Sequence, residues 1–355
     1  MKLILNIGMH KTGSSSIQKS LHRYVSDTAA YLDVGHPNHS AVFMTMFRDN
    51  PESYVAHKKN KRSLDDVVTL RNQFREQVES FVTANPGRNI IASGEDIVLL
   101  SKSESVGMKT WFDRFFDDYL IVGYVRPPVS LMSSAVQQRI AGGASIRIAE
   151  LYPNYRDRLE KFDHVFGHNN VVLTKFARDT LTEGDVVTDF LAKAGLDPST
   201  VDIQRDNEGR SLEASAVLFA QRKFGQGFGR YPSAPRDNRR VAELLRSIGS
   251  TPVRLHSDFV GPILTDHADD LAWIEARLGA GLVDQPTDEP GAVRSAADLV
   301  SRAGDHLPAV ARLLEEEARA LGPTRPELVA QAVDLLFELV RERRRKGSGE
   351  NGPKD

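Results

Sequence analysis

Lys2-Leu3-Ile4-Leu5-Asn6-Ile7-Gly8 runs directly into Met9-His10-Lys11-Thr12-Gly13-Ser14-Ser15-Ser16 and on to Ile17-Gln18-Lys19-Ser20-Leu21. A short apolar run, a two-glycine turn and a mixed polar and apolar segment read as strand, loop and helix. Backbone N–H groups of a loop entering a helix N-terminus, reinforced by the helix dipole, form an anion site. Gly8 and Gly13 permit close approach, and Thr12, Ser14, Ser15 and Ser16 add hydroxyl donors. The glycine spacing is that of a nucleotide P-loop. The position after the second glycine, where a nucleoside triphosphatase carries lysine, holds Ser14, and the lysine lies inside the loop at Lys11. The plain alternative is a Gly-Ser turn that only caps a helix.

Further apolar runs at 89–93, 119–125 and 171–174 join the first at 3–8 as buried parallel strands. Between them, 63–84 (Val67, Leu70, Phe74, Val78, Phe81) and 185–194 (Val186, Val187, Phe190, Leu191) carry helical spacing, closed by Asn85-Pro86-Gly87 and Gly195-Leu196-Asp197-Pro198. The expected fold is therefore α/β, a P-loop-type doubly wound parallel sheet flanked by helices, with a helical C-terminal extension. Right-handed crossovers bring ligands to the carboxyl ends of the strands, where Gly8, Ser93 and Val125 deliver their loops. Residues 225–232 read as a loop, 269–278 as a helix and 285–291 as a linker. Segments 297–321 and 326–345 read as two amphipathic helices and 346–355 as a disordered tail. These readings give an α/β domain over 1–284, a helical extension over 285–345 and the tail.

With 40% hydrophobic and 26% charged residues, the 355-residue chain has an ordinary globular composition. Its 46 basic and 48 acidic residues give a net charge of −2, so no global basic field draws nucleic acid and any anion site is built locally. The sequence has no cysteine, which excludes disulfides, thiolate catalysis and zinc–thiolate sites. The apolar start spans only 3–9 and runs into His10-Lys11, unlike a signal peptide. No stretch reaches the ~18 continuous apolar residues of a membrane helix. A soluble, cytoplasmic protein is expected, open to peripheral membrane contact; its oligomeric state is not legible.

The third run ends in Arg126-Pro127-Pro128-Val129-Ser130-Leu131-Met132-Ser133-Ser134. If a helix starts near Pro128, Ser134 lies about two turns in and can reach toward one phosphate together with Arg126. Alone, this segment reads equally as a surface arginine before a helix with incidental serines. Together the two segments resemble the sulfotransferases that use 3′-phosphoadenosine-5′-phosphosulfate (PAPS). In that family a Lys-[Ser/Thr]-Gly-[Ser/Thr]-[Ser/Thr] loop binds the 5′-phosphosulfate, and here it stands as Lys11-Thr12-Gly13-Ser14-Ser15. An arginine followed by a serine binds the 3′-phosphate, and here the pair is Arg126 and Ser134. The form Ile7-Gly8-Met9-His10-Lys11-Thr12-Gly13-Ser14-Ser15 is similar to bacterial members. Arg126-Pro127-Pro128 departs from the commoner Arg-Asx-Pro, and the family's late Arg-Lys-Gly loop has no clear counterpart; Arg205, Arg210 and Arg222-Lys223 are the candidates to replace it.

The resemblance implies in-line sulfuryl transfer from PAPS to a hydroxyl, or an amine, of a carbohydrate, lipid or small metabolite. Lys11 would stabilise the leaving oxygen, with no metal required. The strand 89–93 ends at Gly94-Glu95-Asp96, placing an acid at the rim, and Glu95 is the expected base, as in related glycan sulfotransferases. His36-Pro37-Asn38-His39-Ser40 is a second polar cluster, with His39 the runner-up site residue; His10 is read as packing in the loop. Ser16 extends the expected donor set. The competing readings are an atypical P-loop kinase using ATP and Mg²⁺, and a nucleotide-binding or interaction module without catalysis.

Overall fold

The computed structural model describes residues 1–141, 148–205, 209–225, 240–320 and 333. At its centre lies a five-stranded, all-parallel sheet in the order β2-β3-β1-β4-β5. The strands are β1 (Lys2–Asn6), β2 (Ala29–Tyr31), β3 (Asn89–Ser93), β4 (Asp118–Val125) and β5 (Val171–Lys175). Four of them are the expected apolar runs, β3 with the same bounds and the others with ends moved by at most two residues. β2 is an addition, since three residues are too few to show a period.

Leu5 pairs with Ala92 on one side and Ile121 on the other, so β1 is central and buried on both faces. Ile4, Ile91 and Val122 pack against Ile17 and Leu21 of α1 (Ser14–Leu21) and Val187 and Phe190 of α8 (Val186–Ala194). Leu3, Leu5, Ala92 and Ile121 pack on the opposite face. Their partners include Met44 of α2 (Ser40–Phe47), Val78 of α4 (Leu64–Ala84), Met108 of α5 (Lys102–Phe112) and Phe162 of α7 (Tyr155–Phe166). Helices therefore cover both faces, the doubly wound arrangement expected. After β1 the chain crosses toward β2 and β3, and after β4 it crosses toward β5. This divergence opens a crevice at the carboxyl ends of β1 and β4.

The stretch 27–62, which has no readable pattern in sequence, contains β2, α2 and α3 (Val55–Lys59). In α2, Val42, Phe43, Met44 and Met46 are all buried, so it lacks the polar face that would reveal a helix. By contrast α4 starts on a capping box: Ser63 Oγ accepts from the Asp66 N–H, and the Asp66 carboxylate accepts from Ser63.

The single helix expected over 297–321 is corrected to helix Ala296–Ser301, a 3-10 turn Arg302–His306 and helix Leu307–Ala320. Pro308 supplies no N–H and its ring clashes with a carbonyl four residues back, so a new helix begins with proline in its first turn. Leu282, Val293 and Leu299 belong to the apolar cluster under the sheet, and Ser257 N–H donates to the Thr287 carbonyl. The division of the chain at 284/285 stands as a proposal. All but residue 333 of the helix expected over 326–345, the tail 346–355 and most of the loop 225–232 lie outside the described residues. Among the described residues, no helix is long and apolar enough to cross a membrane.

Candidate active site

The loop between β1 and α1 is built on two glycines with different reasons. A Cβ at Gly8 would meet Thr12 Oγ1 at 3.0 Å and Ser14 Oγ at 3.1 Å. Gly13 has φ of 78°, in the left-handed region, and a Cβ there would sit 2.5 Å from Val186 Cγ1. Lys11 also takes a left-handed φ of 64°, a conformation costly for a residue with a Cβ. Thr12 Oγ1 donates to the Met9 carbonyl at 2.5 Å and is buried. The hydroxyl thus braces the loop from within. α1 starts without a side-chain cap and without an acid in its first turn. Ser14 Oγ is buried and has no hydrogen-bond partner among the described residues.

β4 delivers Arg126 to the same crevice. Its Nη1 donates to the Lys11 carbonyl at 2.8 Å and its Nε to Ser130 Oγ at 3.3 Å, while the guanidinium lies 6.0 Å from the centre of the Phe176 ring. Burial pushes the guanidinium pKa down, and the Asp284 carboxylate opposes that shift. α6 (Pro128–Ala141) begins where the proline placed it. Its first N–H groups are occupied, because Val129 and Ser130 donate to the Asp284 carboxylate at 2.8 and 2.7 Å. Asp284 was invisible to sequence reasoning because 155 residues separate it from Val129.

The carboxyl end of β3 contributes acids. Glu95 receives long contacts from Gln18 Nε2 and Asn38 Nδ2, each at 3.4 Å. His10 bridges toward both acids, with Nε2 3.1 Å from Asp96 Oδ1 and Nδ1 4.0 Å from Glu95 Oε1. Asp96 Oδ2 accepts from the Tyr54 hydroxyl at 2.5 Å. Burial raises the Asp96 pKa, but hydrogen bonds from His10 and Tyr54 outweigh it and hold the carboxyl below its usual range. Below the acids, Asn6 Nδ2 donates to Ser93 Oγ at 2.9 Å and ties β1 to β3.

His39 does not join this cluster. It is fully buried, with Nε2 bonded to the Leu32 carbonyl at 2.8 Å and Nδ1 accepting from the Ser93 N–H at 3.1 Å. Burial lowers its pKa to about 4, so the neutral ring is a structural brace between β3 and the start of α2. The expectation of a catalytic His39 is corrected on that ground.

A cavity of about 810 Å³ opens over the crevice. Lys11, Gly13, Ser14, Ser15, Ser16, Arg126, Ser134 and Glu95 line it, so the structure brings together every expected site residue except Thr12 and His39. His10 and Asp284 join them, as do two further cations, Arg210 and Arg254. Of the arginines considered for the missing late loop, Arg210 reaches the cavity. Arg205 is instead bound to Asp185 at 2.9 Å, and Arg222 Nε donates to the Ile140 carbonyl. The cavity lining is thus rich in cations and hydroxyls, with acids at Glu95 and Asp284, and Asp96 stands behind His10.

No protein-family model matches the chain, and no curated protein matches it in sequence. Among solved structures, it is similar to a sulfotransferase from Alicyclobacillus acidocaldarius at 17% identity and TM-score 0.44, covering 79% of this chain and 96% of that one. It is also similar to the sulfotransferase domain of the Synechococcus PCC 7002 olefin synthase, at 14% identity and TM-score 0.36, covering 75% and 94%. A sulfotransferase domain from the curacin biosynthetic pathway aligns at 11% identity and TM-score 0.35, covering 58% and 78%.

Proposed function

We propose that this protein is a PAPS-dependent sulfotransferase acting on a hydroxyl, or less readily an amine, of a carbohydrate, lipid or small metabolite. One observation carries the reading: Arg126 Nη1 bonds the carbonyl of Lys11, so the two motifs that were matched separately in sequence form one wall of one cavity. The residues present fit a donor with anionic groups at two points. An α1 N-terminus without a side-chain cap and the buried Ser14 hydroxyl, without a partner among the described residues, suit the phosphosulfate end. Arg126 and Ser134 suit a second phosphate.

When bound, the donor supplies an activated sulfuryl group and a phosphate-stabilised leaving oxygen. Lys11, Gly13, Ser14, Ser15 and Ser16 would hold the phosphosulfate, with the Lys11 ammonium meeting the charge that grows on that oxygen. Arg126 and Ser134 would fix the distal phosphate. Glu95, at the acidic rim, would take the acceptor's proton. Positioned cations perform the charge stabilisation in this scheme, which requires no metal. The cytoplasm is the proposed compartment.

The test is transfer of label from ³⁵S-PAPS to a panel of glycans, lipids and small alcohols and amines. Labelled product that requires Lys11 and falls steeply in Glu95→Gln supports the reading. Full transfer by Lys11→Ala would remove it.

A further inference from the structure

Sequence treats His10 as packing in the loop, yet its ring is wedged between two carboxylates at the cavity's edge. Its Nε2 is 3.1 Å from Asp96 Oδ1, and Asp96 is held from behind by the Tyr54 hydroxyl at 2.5 Å and by its own N–H donating to Ser40 Oγ at 3.2 Å. An anionic Asp96 accepts; therefore the neutral His10 ring carries its proton on Nε2 and leaves the Nδ1 lone pair open. That lone pair faces Glu95 Oε1 across 4.0 Å, too far for a direct hydrogen bond and wide enough for a small shift of either side chain to close it. A half-buried acid orienting an imidazole whose second nitrogen looks toward the reacting centre has no purpose in a loop that only packs.

Building on the sulfotransferase reading above, we infer that Tyr54, Asp96 and His10 form a proton-holding chain behind Glu95. As the acceptor oxygen bonds to sulfur, its O–H bond breaks and the proton passes to a Glu95 carboxylate oxygen. The bridging oxygen leaves sulfur with the bonding electron pair. Glu95 then gives the proton to His10 Nδ1, and the imidazolium stands between two carboxylates, Glu95 and Asp96, until it releases the proton to water. Glu95 returns to its basic form without losing its place. His10 is thus a positioning residue that acts through Glu95. The charged groups around it are Glu95 and Asp96 on the turn after β3, Lys11 beside it in the loop and Arg158 of α7, which acts on Asp96.

Nitrogen-15 NMR of histidine-labelled protein reads the arrangement directly. The expected spectrum assigns His10 as the Nε2–H tautomer, a preference that Asp96→Asn weakens because the anionic acceptor facing Nε2 is lost. An Nδ1–H tautomer in the wild type, or a tautomer preference that ignores Asp96→Asn, overturns the chain. In parallel, sulfate release from ³⁵S-PAPS, with water as acceptor, is expected to fall ~10²-fold in His10→Gln, while affinity for 3′-phosphoadenosine-5′-phosphate (PAP) stays within about twofold of wild type. Equal release by wild type and His10→Gln removes the relay alone. A wild-type protein that neither binds PAP nor releases sulfate removes the reading beneath it, and the relay with it.

Discussion

Arg126 Nη1 donates to the carbonyl oxygen of Lys11 at 2.8 Å, across a sequence separation of 115 residues. This bond couples the two halves of the cavity: the guanidinium that would meet the distal phosphate also holds the backbone of the residue that would meet the leaving oxygen. Lys11 has a left-handed φ of 64°, and a strained backbone persists only where neighbours fix it.

Arg126→Ala is therefore expected to weaken PAP binding by ~1.5–3 kcal/mol, the range for a hydrogen bond to a charged group, or about 10- to 150-fold by calorimetry. Arg126→Lys should not restore it, because an ammonium cannot serve the Lys11 carbonyl, Ser130 and a phosphate together. Unchanged PAP affinity in Arg126→Ala would refute the coupling.

Lys11→Ala should separate binding from chemistry. Loss of one donor aimed at developing charge costs ~10²- to 10³-fold in turnover, whereas the backbone N–H groups of α1 still hold PAP. Parallel losses in PAP affinity and turnover would assign Lys11 to ground-state binding instead.

Gly13→Ala meets two penalties. A left-handed φ costs a residue with a Cβ ~1–2 kcal/mol, and the added methyl falls 2.5 Å from Val186 Cγ1, where overpacking costs a further ~1–3 kcal/mol. Urea denaturation should show a lower midpoint with an unchanged slope. A variant as stable as wild type would mean that the loop and α8 can separate freely.

His39 makes stability depend on pH. Burial lowers its pKa from 6.5 to about 4, so between those values the unfolded chain binds the proton and the folded one does not. Stability contributed by the neutral ring is full above pH 6.5 and falls by about 1.4 kcal/mol per pH unit as pH drops through this window. His39→Gln, which can still donate and accept but does not titrate, should flatten that part of the stability profile. An identical profile would contradict the brace assigned to His39.

What the sequence made legible follows from locality. β1, β3, β4 and β5 announce themselves because a strand buried on both faces must be apolar throughout, and Lys11, Gly13, Ser14 and Arg126 because turn geometry and spacing are local. β2 and α2 were hidden, the first by its length and the second by burial on every side. The inward bonds of Thr12 and His39 are not legible, because composition cannot tell a hydroxyl or imidazole that faces a cavity from one that bonds the Met9 or Leu32 carbonyl. Asp284 on the α6 N-terminus and Asp96 behind His10 arise from tertiary contacts that no periodicity records. Pro308 was readable as a helix start and was passed over inside an amphipathic pattern.

Thermal denaturation with PAP, set beside ATP plus Mg²⁺, tests the central claim most directly. PAP at 100 times its dissociation constant should add about 2.7 kcal/mol of stability, seen as a raised midpoint that ATP plus Mg²⁺ does not reproduce and that Arg126→Ala cuts by half or more at the same PAP concentration. Stabilisation by ATP plus Mg²⁺ alone, with PAP inert, would contradict the account and return the lysine-bearing loop to a nucleoside triphosphate.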